Sequence, residues 1–168
     1  MATTVLGGTP CRTSGELPDV GTTAPPYVLT GSDLADFDAD AAPGQRVVLN
    51  IFPSIDTRTC AASVRRFNEL AGRLDDTVVV CVSEDLPFAH HRFCGAEGID
   101  AVRLGSAFRG DFGERYGVRL LDGAFAGLLA RAVVVLDADR TVLHTELVPD
   151  IGQQPDYDAA LAALEGAR

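Results

Sequence analysis

Two stretches of the chain, RVVLNIF at 46–52 and TVVVCVS at 77–83, are continuous apolar runs of strand length. A strand open to water on one side alternates apolar and polar residues. A continuous run belongs to a strand covered on both faces. Between the two runs, Val64, Phe67, Leu70, Ala71 and Leu74 recur at helical spacing, which predicts an amphipathic helix over 59–74. Buried strands joined through one helix pair in parallel, with the helix packed on the sheet. The chain is thereby restricted to an α/β architecture.

The rest of the chain extends that sheet. Residues 3–13 read as a hairpin turning at Gly7-Gly8, and three prolines mark 18–26 as loop. The Asp-rich stretch 33–40 reads as a solvated surface segment. After the second run come a helix over 86–94 ending near Gly95, a short strand at 101–104 and a helix over 109–116. Strands at 131–136 and 142–147 turn at 137–140, and a helix over 156–165 closes the chain. The alternating middle implies parallel pairing and the late hairpin antiparallel pairing. A single domain over 1–168 is expected, with a mixed central sheet flanked by helices on both faces and an N-terminal β-hairpin. This order resembles a thioredoxin-like fold.

Composition removes several classes of function. The 168 residues are 46% hydrophobic and 23% charged, which is ordinary for a globular domain. A net charge of -10 supplies no basic face for nucleic acid and is repelled by an anionic membrane surface. All 14 basic residues are arginine, so chemistry that needs lysine is excluded, including Schiff bases and phosphate-loop lysines. The N-terminus shows no apolar signal region and no stretch approaches transmembrane length, so a soluble cytoplasmic protein is expected. Structural disulfides are rare in that compartment. Cys11, Cys60, Cys81 and Cys94 are therefore read as free thiols, ligands or catalysts.

The segment FPSIDTRTC, 52–60, runs from a buried strand into a helix start. A helix N-terminus presents partial positive charge and unpaired N–H groups, which favour a thiolate over a thiol. Arg58, Arg65 and Arg66 add positive charge nearby in sequence. A thiolate can attack a peroxide O–O bond and give a sulfenic acid, with which a second thiol condenses. By itself, a cysteine at a helix start is more often a packed core residue.

The neighbouring residues carry more. Pro53, Thr57 and Cys60 resemble the peroxiredoxin pattern Pro-x-x-x-Thr/Ser-x-x-Cys. CAASVRRFN at 60–68, RFCGAEG at 92–98 and ARAVVVLD at 130–137 resemble the bacterial thiol peroxidase branch, an atypical two-cysteine peroxiredoxin family. The likeness runs from about Val47 to Leu164 and is looser before that. It implies that Cys60 is the peroxidatic cysteine and that the Thr57 hydroxyl bonds thiolate and peroxide oxygen. It implies that Pro53 shields the site and fixes the loop. Arg131 would hold the thiolate and polarise the peroxide, a preorganised donor aimed at developing charge. Cys94 would be the resolving cysteine, closing an intrachain disulfide with Cys60. The same likeness implies hydroperoxide substrates with an organic preference, recycling by a thioredoxin-type reductant, a homodimer, antioxidant defence and no cofactor.

The other thiols and the histidines read differently. Cys81, inside TVVVCVS, is core, and Cys11 has no role in the family pattern. His90, His91 and Cys94 fall within five residues, but adjacent histidines point to different helix faces and no paired-cysteine zinc spacing occurs. No metal is expected, and both histidines read as a solvated helix face. His144 is alone on a strand. Two other functions use the same chemistry. A general thiol–disulfide oxidoreductase usually carries C-x-x-C, which is absent. A redox sensor passing oxidation to a partner protein would use the same Cys60.

Overall fold

The computed structural model describes residues 1–167. Its strands are β1 (Thr3–Leu6), β2 (Thr9–Arg12), β3 (Val28–Gly31), β4 (Asp36–Asp38), β5 (Arg46–Ile51), β6 (Thr77–Ser83), β7 (Arg103–Ser106), β8 (Ala132–Leu136) and β9 (Val142–Leu147). Its α-helices are α1 (Arg58–Ala71), α2 (Pro87–Glu97), α3 (Phe112–Arg115) and α4 (Tyr157–Gly166).

β1 and β2 form a separate hairpin whose Gly7 and Gly8 both have positive φ, 57° and 84°. That is the backbone a two-residue hairpin turn requires, and glycine adopts it without strain. The main sheet is ordered β4-β3-β7-β6-β5-β8-β9. β5, β6 and β7 are parallel, as the two apolar runs predicted, and the outer strands are antiparallel.

Each face of the sheet buries its own core. Val48, Cys81 and Val133 pack under Val64 and Phe67 of α1, Phe93 of α2 and Leu164 of α4. Leu49, Val82 and Val134 pack against Phe112 of α3 and Tyr116, Leu120 and Leu129 beyond it. Helices therefore lie on both faces, but unequally: α1, α2 and α4 share one, and the single-turn α3 with its long connection covers the other.

Four local readings need correction. The Asp-rich stretch contains β4, where Phe37 points inward while Asp36 and Asp38 face water. A strand that presents charges at the sheet edge reads as a solvated segment because only one residue in three is apolar. β3, which no expectation covered, has only four residues. α2 runs past Gly95 to Glu97 and is ended by Gly98, which takes the left-handed conformation at φ 65°. The third helix is one turn, not eight residues, and β7 starts two residues later than expected. No helix among the described residues is long and apolar enough to cross a membrane.

One end of the sheet matters most for chemistry. The carboxyl end of β5 leads into α1, and Ile51 pairs with Ala132 at the start of antiparallel β8. Residue 131 and the amino end of α1 are brought together by that register.

Phe67 holds α1 in place: it is buried and meets Tyr157 edge-on at 5.1 Å between ring centres. Phe67→Ala should cost about 3–5 kcal/mol, read as a lower urea midpoint at unchanged slope. A loss below about 1 kcal/mol would show that α1 is anchored elsewhere.

Candidate active site

The turn between β5 and α1 is built from hydrogen bonds to its own backbone. The Ser54 carbonyl accepts from the Thr57 N–H at 3.1 Å and from the Thr57 hydroxyl at 3.2 Å. Thr57 is the N-cap of α1, its Oγ1 accepting from the Cys60 N–H at 3.3 Å. Such a cap satisfies one of the helix's orphan donors. Cys60 is thus fixed in the first turn of α1 and is fully buried. Pro53, also buried, starts the turn.

Arg131 reaches the same point from β8. Its Nε donates to the Ile151 carbonyl at 2.9 Å, which sets the plane of the guanidinium. Its Nη2 donates to Cys60 Sγ at 3.3 Å. Arg131 is only 1% exposed, and its Nη1 has no hydrogen-bond partner among the described residues. A buried donor left unmade costs on the order of 1–3 kcal/mol, and more when it is charged. Nη1 is therefore a donor in wait of an acceptor beside the sulfur. A cavity of about 130 Å³ opens here, with Thr57, Thr59 and Arg131 on its polar side and Leu6, Phe125 and Ile151 on its apolar side.

The structure brings Pro53, Thr57, Cys60 and Arg131 together. Cys94 is half-buried on α2 and is not bonded to Cys60. Burial raises the pKa of the Cys94 thiol. All four cysteines are free. The two helices are pinned by a bidentate Arg65–Glu97 pair at 3.0 and 3.1 Å, and Arg92 of α2 reaches Asp56 at 2.7 Å. Cys81 is core as expected, and burial pushes its thiol up to about 12. Cys11 is fully buried behind Gly123.

Sequence reading missed Ile151, Leu6 and Phe125, which lie on segments far from the cysteine motifs. Only Leu6, on a predicted hairpin strand, carried any signal. It also misplaced His90, which is not on a solvated face. His90 is fully buried, with Nε2 2.8 Å from the Ser83 hydroxyl and 3.9 Å from Asp85, while His91 is exposed. A weakly amphipathic helix gives no clear periodicity from which to choose between adjacent histidines.

The Redoxin family pattern matches residues 19–161. The chain belongs to the Redoxin family. It is 57% identical to a thiol peroxidase of Mycobacterium tuberculosis over 98% of this chain and 99% of that one. It is 51% identical to a thiol peroxidase of Corynebacterium glutamicum over the same shares. A crystal structure of a peroxiredoxin-like protein from Aquifex aeolicus superimposes with a TM-score of 0.92 at 36% identity, covering 98% of this chain and 97% of that one. Within its family the chain is therefore a peroxiredoxin of the thiol peroxidase branch, on the thioredoxin-like fold.

The buried His90 makes stability depend on pH. Burial lowers its pKa from the ordinary value of 6.5, and Asp85 offsets this in part. The folded state then binds this proton less readily than the unfolded state. Its contribution is fully present above about 6.5 and is lost as pH falls through the lower folded value. The melting temperature should drop between pH 7.5 and 5.5, and His90→Gln should flatten that dependence. Parallel curves for the two proteins would contradict the assignment.

Proposed function

We propose that Cys60 is the peroxidatic nucleophile and Cys94 its resolving partner in a hydroperoxide-reducing cycle. One observation carries this reading: Arg131 bonds the Cys60 sulfur through Nη2 while the neighbouring buried Nη1 is unpaired. The Cys60 thiolate attacks the terminal oxygen of ROOH, an S–O bond forms and the O–O bond breaks. The departing RO⁻ takes a proton and leaves as the alcohol, or as water when the substrate is hydrogen peroxide. Negative charge moves from sulfur to the departing oxygen, so a donor to each end stabilises the transition state along its length. Nη2 serves the sulfur and Nη1 the oxygen. Thr57 fixes the turn and stands at the cavity wall, where its hydroxyl can turn from the Ser54 carbonyl to the peroxide. The apolar wall of Leu6, Phe125 and Ile151 supports an organic R group.

The product is a Cys60 sulfenic acid. Cys94 attacks its sulfur, water leaves and a disulfide closes. Disulfide geometry needs Cα atoms about 4.4–6.8 Å apart, and local opening of the helices that carry the two cysteines is the step that brings them to it. α2 suits this, since only Pro87, His90 and Phe93 of its eleven residues are buried. Opening rehydrates Cys94, which removes the burial that raises its pKa and frees its thiolate to attack. A thioredoxin-type dithiol then reopens the disulfide by exchange. Four free thiols suit the reducing cytoplasm and a role in antioxidant defence. Leu86 at the cap of α2, Phe88 in its first turn and Phe108 after β7 are large apolar side chains left exposed. Exposed apolar side chains of this size support a homodimer.

Cys60→Ser should abolish peroxide reduction in a folded protein, because a serine hydroxyl is a poor nucleophile at neutral pH. Turnover above a few per cent of the parent would overturn the role. Cys94→Ser should consume about one equivalent of peroxide, stall as sulfenic acid and pass more readily to sulfinic acid. Recycling by thioredoxin at the parent rate would remove Cys94 from the cycle.

A further inference from the structure

We infer that Asp85 is the positioning residue of the peroxidatic turn, an inference that rests on the reading of Cys60 as nucleophile. Asp85 lies between β6 and α2, outside both cysteine motifs. Its Oδ1 accepts from the Ser54 hydroxyl at 2.8 Å. Its Oδ2 accepts from the Ile55 N–H at 2.7 Å and from the Ser83 hydroxyl at 2.6 Å. Ser54 and Ile55 sit midway in the turn that ends at Cys60. The Ser54 carbonyl in turn holds both the N–H and the hydroxyl of Thr57, and Thr57 caps the Cys60 N–H. An unbroken chain of hydrogen bonds thus runs from the Asp85 carboxylate to the backbone of the nucleophile.

Asp85 is itself held through its backbone and through Ser83. The Asp85 N–H donates to the Ser83 oxygen at 3.3 Å, and the Asp85 carbonyl accepts from Ser106 of β7. With its own proton given to Asp85, the Ser83 oxygen accepts from His90 Nε2–H of α2. Asp85 therefore ties the nucleophile's turn to β6, β7 and the root of the helix that carries Cys94. It touches no reacting atom. Its effect on rate is to keep Cys60 in line with Arg131, where displacement of about 1 Å can cost about 100-fold.

The test separates position from charge. Asn in place of Asp85 can keep every heavy-atom contact: its oxygen accepts from Ile55 and Ser83, and its amide donates to a rotated Ser54 hydroxyl. Asp85→Ala keeps none of them. Oxidation of Cys60 by an alkyl hydroperoxide is followed by acid quench and peptide mass, since the chain has no tryptophan to report it. Alkylation of the same thiol by iodoacetamide, which needs no alignment of peroxide with Arg131, is the control. Asp85→Ala should slow oxidation by about 10- to 100-fold while alkylation changes by less than about threefold. Asp85→Asn should return oxidation to within about threefold of the parent. Parent-rate oxidation in Asp85→Ala, or equal losses in Asp85→Ala and Asp85→Asn, would overturn the inference. Should Asp85→Ala fail to fold by circular dichroism, Ser54→Ala removes one of the three bonds. It should slow oxidation by about 3- to 10-fold with the same indifference to alkylation, and parent-rate oxidation would again overturn the inference. Failure of the underlying reading looks different: the parent would then reduce peroxide with Cys60 unoxidised, and Cys60→Ser would stay active.

Discussion

The hydrogen bond from Arg131 to the sulfur of Cys60 is the interaction around which the rest of this structure is arranged. A guanidinium that is 1% exposed must find acceptors for its donors or forfeit a large solvation energy. Arg131 finds one backbone carbonyl and one sulfur, and holds one nitrogen open. Two features of the fold make that possible. β8 runs antiparallel beside β5, so its first residue stands level with Ile51 at the end where α1 begins. The segment around Ile151 returns to the same end and supplies the carbonyl that orients the guanidinium. A parallel β8 would have carried residue 131 to the far end of the sheet.

A second constraint opposes the first. In the proposed cycle the nucleophile must be enclosed to exclude water and align the peroxide, yet its sulfur must later reach another helix. The molecule divides these tasks between strands and helices. The strands carry continuous two-sided cores, and Arg131 and Asp85 lie just beyond their ends. The helix α2 is pinned by exposed ion pairs, to α1 through Arg65–Glu97 and to the turn before α1 through Arg92–Asp56. Exposed pairs of this kind each contribute about 0–1 kcal/mol, far less than a buried aliphatic side chain. In the proposed cycle the part that opens is α2, which buries only three of its eleven residues, and the Asp85 anchor lies at its root.

The central sheet was legible from sequence because two-sided burial leaves an unmistakable trace in RVVLNIF and TVVVCVS, and the helical spacing of Val64, Phe67 and Leu70 marks α1. β3 and the edge strand β4 were illegible because strands of four and three residues lack enough apolar positions to declare a period. The cysteines, Thr57, Pro53 and Arg131 stand in local motifs that the sequence alone singles out. Asp85, Ile151, Leu6 and Phe125 act through long-range contacts, and nothing in their neighbours' identity reveals those. His90 shows the same limit at the scale of one residue: on a helix without a clear apolar face, burial is decided by what Ser83 and Asp85 offer from the adjoining strand and turn.

The central claim is that oxidation enters at Cys60 and leaves as a bond to Cys94. Peptide mapping under non-reducing conditions, after one equivalent of hydroperoxide is added to the fully reduced parent protein, tests it most directly. The account predicts one intrachain disulfide joining the peptides of Cys60 and Cys94, with Cys11 and Cys81 still alkylatable after unfolding. A disulfide from Cys60 to any other cysteine, or an unmodified Cys60 after the peroxide has been consumed, would contradict it.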